Sequence, residues 1–73
     1  MTEAREQEIE GLTGWAFRIP KGFKIARQDR FKELCAQFNA ELKLDWIHVN
    51  DLAQAQALEM LAQCIELGVF QAK

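Results

Sequence analysis

The chain has 73 residues, 49% of them apolar and 27% charged, a balance that suits one folded domain and is too hydrophobic for a disordered segment. Its net charge of -2 excludes the global positive field of a typical nucleic-acid binder, and it has no apolar run long enough to span a membrane. A domain this short buries only about 60% of the surface that its unfolded chain exposes, so association with another copy or a partner is a natural supplement to its core.

Within residues 1–12, the stretch 2–11 sets Glu3, Glu6, Glu8 and Glu10 against Arg5 and offers only Ala4 and Ile9 as apolar contacts before Gly11. Without an apolar face so short a stretch is marginal as a helix, and it reads as an acidic segment, a frayed helix or disordered. It is also too acidic for a signal or transit peptide, which points to a cytoplasmic protein. The folded domain is expected over 13–70, with 71–73 as a tail.

From Trp15 the period becomes two. Trp15, Phe17 and Ile19 alternate with Ala16 and Arg18, Pro20-Lys21-Gly22 suits a type I turn, and Phe23 and Ile25 resume the alternation, as in a β-hairpin with one buried face. Pairing Ile19 with Phe23 would bring Phe17 opposite Ile25 and Arg18 opposite Lys24. Like charges directly opposite each other destabilise a sheet. Two readings fit them: an anion is held there, or the cations keep a short edge from aggregating.

Residues 18–32 carry Arg18, Lys21, Lys24, Arg27, Arg30 and Lys32, six of the nine basic residues, against Asp29 alone. Phe31, Leu34, Cys35 and Phe38, at helical spacing, predict a helix over 29–39 with Asp29 as its N-cap. Arg27, Arg30 and Lys32 then crowd the positive end of its dipole. A bound phosphate or carboxylate would relieve them there, as would local pairing with Asp29 and Glu33.

Residues 42–49, LKLDWIHV, are rich enough in aromatic and β-branched residues to predict a strand, although a helix continuing from Asp29 to Leu44 competes. Asp51 and Gln54 resemble a capping box opening a helix over 52–67, with Gly68 placed to end it in a left-handed conformation. Leu58, Leu61 and Ile65 belong to an apolar surface covering most of that helix. A helix apolar over so much of its circumference wants burial on two sides, one of them a dimer or partner contact, unless it is simply the centre of the domain.

Together these elements give a small single α+β domain of order β-β-α-β-α: a hairpin, a helix, a strand and a long C-terminal helix. A mostly helical domain with a hairpin is the alternative. Phe17-Arg18-Ile19-Pro20-Lys21 followed by two helices resembles the start of ribbon-helix-helix repressors, which would make Arg18 a base-reading residue. The doubling back of the strand and the long connection between the helices depart from that pattern, and the family is not assigned.

The chemistry of catalysis is missing. The chain has no Ser or Tyr, its two Thr lie near the N-terminus, and Cys35 and Cys64 occupy apolar helix positions that suit inert, reduced thiols. His48 is a lone histidine without metal-ligand spacing, and no glycine motif cradles a phosphate. The expectation is a non-enzymatic regulatory or adaptor protein with no cofactor, metal or small-molecule substrate. Its protein partner, or a homodimer, would use the basic band (Arg18, Lys21, Lys24, Arg27, Arg30, Lys32) and the apolar helix (Leu58, Leu61, Ile65). The alternative is a nucleic-acid-binding regulator that presents the same cations to phosphates.

Overall fold

The computed structural model describes residues 4–9, 12–50 and 53–73, without the side chains of 7–9, 12 and 13. It is an α+β domain of order β1 (Arg5–Ile9), β2 (Leu12–Arg18), β3 (Phe23–Ile25), α1 (Gln28–Phe38), β4 (Ala40–Lys43), β5 (Trp46–Asn50), α2 (Gln54–Glu66) and β6 (Phe70–Ala72). The expected order survives inside it, with strands added at both ends and the strand over 42–49 divided into two. Four strands form an antiparallel sheet in the order β1-β2-β5-β4, while β3 and β6 form a second, two-stranded sheet.

Both helices pack on one face of the larger sheet. Phe17 faces Ile47 across β2 and β5, and these two residues, with Val49, are fully buried against Phe31, Leu34 and Phe38 of α1 and Ala57, Met60 and Leu61 of α2. Alternation then puts Ala16, Arg18, Trp46 and His48 on the opposite face. There Arg18 stands opposite Trp46 and Ala16 opposite His48.

The N-terminal segment is corrected from a frayed helix or loose tail to a strand, Arg5–Ile9, paired with β2. Its polar sequence hides this because an edge strand takes its hydrogen bonds from a neighbour and needs little apolar surface of its own. The 71–73 tail is likewise corrected. Phe70–Ala72 pair with β3, and Phe70 is buried.

The hairpin register is corrected too. The turn forms, with the Phe23 amide donating to the Pro20 carbonyl at 3.0 Å, but Gly22 at its third position has φ +83°, the geometry of a type II rather than a type I turn. Beyond the turn the two arms part instead of pairing. β2 joins β1 and β5, and β3 joins β6, so Lys24 faces Gln71 rather than Arg18.

Helix α1 begins one residue before Asp29, so Asp29 lies in the first turn and Arg27 is the N-cap, with no side-chain cap bond. The helix ends at Asn39 with φ 51°, a conformation that asparagine tolerates, and the chain passes directly into β4. Helix α2 starts at Gln54 rather than at residue 52. Gln56, not Gln54, is its third residue, and its Oε1 accepts from the Ala53 amide at 3.2 Å; Asp51 lies outside the described residues. Gly68, with φ 70°, closes α2 as its spacing predicts. Its amide donates to Ile65 and that of Val69 to Cys64, the paired bonds of a Schellman ending.

Candidate functional site

Where β2 leaves the large sheet, the chain opens a groove. The Ile19 amide donates to the Asp45 carbonyl at 3.0 Å, which ties the end of β2 to the β4–β5 turn, and the Lys73 amide donates to the Gly22 carbonyl at 2.9 Å, which ties the end of β6 to the Pro20–Phe23 turn. Between these anchored ends lies a cleft of about 1000 Å³ lined by parts of both sheets.

Arg5, Arg18, Lys21, Lys24 and Lys73 line it, and Asp45 is the one acid among the described residues that do. Arg18 and Asp45 approach to 3.5 Å with both side chains more than half exposed. An ion pair that open contributes little, of the order of 0–1 kcal/mol, so Arg18 can exchange Asp45 for another carboxylate at small cost. Trp46 lines the groove as well, and the Arg5 guanidinium lies 5.6 Å from the centre of its ring. Three large apolar residues that line it are open to solvent: Phe23, Leu42 and Leu44 are 40%, 40% and 93% exposed.

The six cations singled out from the sequence therefore divide. Arg18 on the larger sheet, Lys24 on the smaller and Lys21 in the turn between them share the groove. Arg27, Arg30 and Lys32 do not line it. The Arg27 guanidinium reaches the Leu67 carbonyl at 3.4 Å, at the negative end of α2, where a cation is favoured, and its backbone amide meets the Val69 carbonyl at 3.4 Å. Arg30 pairs with Glu33 at 3.2 Å. The charge crowding at the start of α1 is thus met largely inside the molecule. Arg5 and Lys73 are the groove residues that sequence reasoning missed. Nothing local marks them, since only the pairing of β1 with β2 and of β6 with β3 carries the two ends of the chain to one place.

Of the three α2 residues, Leu61 is buried in the core, while Leu58 and Ile65 are 43% and 60% exposed. Cys35 is half-buried and Cys64 buried, both free. Burial pushes the Cys64 thiol up to about 12, with the neighbouring Cys35 adding to the shift, and raises Cys35 as well. Both thiols are held in the unreactive form. His48 is buried on β5 opposite Ala16 and Glu41. Burial lowers its pKa, with Glu41 opposing the shift and Lys43 adding to it. Among the described residues no group of three His, Cys, Asp or Glu could hold a metal ion, and no helix is long and apolar enough to cross a membrane.

Comparison of the chain with protein-family models, with curated proteins and with solved structures found no match.

Proposed function

We propose that this chain is a non-catalytic binding domain, a small regulatory or adaptor protein, that docks an acidic surface of a protein partner in the cationic groove. The observation that carries the reading is convergence. Arg5, Arg18, Lys21, Lys24 and Lys73 come from β1, β2, the Pro20–Phe23 turn, β3 and the end of β6, and line one groove. Like charges gathered in this way repel one another, and a partner rich in Asp and Glu relieves the repulsion while a protein of net charge -2 would otherwise push it away. Attraction is then local to the groove and sets the orientation of docking.

The same cations would suit phosphates, but the apolar residues favour a protein. The Trp46 ring, the natural platform for a base, is half-buried and already carries Arg5. Leu42 and Leu44 offer a phosphate backbone nothing. The absence of Ser and Tyr and the protonated state of both thiols support a binding rather than a catalytic role.

The test is titration of the protein with fluorescently labelled polyglutamate at increasing salt, beside the double variant Arg18→Glu, Lys24→Glu. Binding that weakens with salt and disappears in the variant is expected. A wild-type protein that ignores polyglutamate at low salt, or that binds random duplex DNA more tightly, removes the reading.

A further inference from the structure

The turn between β4 and β5 is built against the usual preferences. Lys43 pairs with Trp46, which leaves Leu44 and Asp45 as a two-residue loop, and Leu44 takes φ 56°. Such a position favours glycine or asparagine, because a Cβ there crowds the backbone. A leucine in a left-handed turn is tolerated for the sake of packing when its side chain is buried. Leu44 is 93% exposed, so the fold gains no core from it. The residue is both strained and unburied, and it lines the cationic groove, as does Leu42, which is 40% exposed.

We infer that Leu44, with Leu42, is an apolar anchor for the partner, and that the groove recognises a short acidic peptide segment carrying a bulky apolar side chain among its carboxylates. This rests on the docking role proposed above and adds to it the chemistry of what is docked. The cations take the carboxylates, and the two leucines cover the apolar side chain of the same segment. Charge supplies attraction and orientation, whereas the desolvated apolar contact supplies most of the residence time. The turn conformation holds the Leu44 side chain exposed before the partner arrives, so little ordering remains for the moment of binding. Strain kept where nothing in the fold uses it is the kind found at ligand clamps.

Fluorescence anisotropy with labelled peptides tests the inference. One peptide is all Glu; a second of equal length has a leucine pair at its centre; an oligothymidylate of similar charge is the third probe. The leucine peptide is expected to bind about tenfold or more tightly than the all-Glu peptide, the gain from burying a side chain of that size. Leu44→Gly is expected to remove most of that difference with the thermal midpoint undiminished, and Leu44→Met to keep most of it. Equal binding of the two peptides by the wild-type protein overturns the anchor while leaving the electrostatic groove standing. Binding of neither peptide, or tighter binding of oligothymidylate than of both, overturns the anchor and the docking role together. A loss of thermal stability in Leu44→Gly would show instead that the side chain serves the fold, and overturns the anchor.

Discussion

Arg5 lies across β2 from Trp46, with its guanidinium 5.6 Å from the centre of the indole ring. Arg5 is paired with Ala16, and Trp46 with Arg18 two residues further along the same strand. The fully buried Ala16 is what lets the contact form, since a larger side chain at that position would stand between the two. The contact fixes one groove cation on an aromatic platform and joins an edge strand to the centre of the sheet.

Replacing Arg5 by Ala should therefore cost about 0.5–1 kcal/mol, as for an exposed cation over an aromatic ring. It should also move Trp46 emission to longer wavelength. Measuring this in a Trp15→Phe background isolates the ring. An unchanged spectrum would show that the cation does not cover it in solution. Ala16→Leu is the complementary change. It should cost about 1–3 kcal/mol through overpacking and produce the same spectral shift with Arg5 still present.

What could be read in the sequence was what neighbouring residues decide. The spacing of Phe31, Leu34 and Phe38 marks α1 because each helical turn brings them to one face, and Gly68 marks the end of α2 because few other residues take its φ. The pairing of strands was not legible. Pro20 and Gly22 announce a turn, and a turn forms, but whether its arms pair with each other depends on β5 and β6, more than twenty residues away. The division of 42–49 was hidden for a different reason. Leu44 and Asp45 turn the chain without glycine or asparagine, so the residue that the groove uses is the one that disguises the turn. Of the site, Arg18, Lys21 and Lys24 were visible as a local excess of charge. Arg5 and Lys73 were not, because their part comes from topology alone.

His48 should make the domain sensitive to acid. Its folded pKa is lowered by burial, so as pH falls below about 6.5 the unfolded chain takes up a proton that the folded chain resists. The stability it contributes is fully present above that pH and is lost progressively as pH falls toward the lowered folded value. Glu41, opposite on β4, softens the effect and Lys43 sharpens it. Urea midpoints measured between about pH 7 and pH 5 should fall, and His48→Gln should flatten that slope. A variant with the wild-type slope would assign the pH dependence to the carboxylates.

The thiols give the opposite sign. With Cys64 raised to about 12 from an ordinary 9.0, the unfolded state gains by ionising first, and stability should fall as pH rises through that interval. At neutral pH a thiol reagent should modify the half-buried Cys35 slowly and Cys64 only as fast as the domain opens. Rapid labelling of Cys64 in the native protein would contradict its burial.

Helix α2 separates into residues that hold the fold and residues that do not, and substitution should resolve them. Leu61, packed with Phe17, Ile47 and Met60 in the core, should cost about 2–5 kcal/mol on truncation to Ala, enough to unfold much of so small a domain. Ile65, one helical turn further on but 60% exposed, should change stability by no more than about 0.5 kcal/mol when truncated in the same way. Both variants keep a good helix former, so the contrast measures packing rather than propensity. Denaturant unfolding of the two at one protein concentration, repeated after dilution, checks this. A large cost at Ile65 that shrinks on dilution would mean that a second copy covers this flank of the helix, since stability drawn from association depends on concentration. A large cost independent of concentration would place Ile65 in the core, against its exposure.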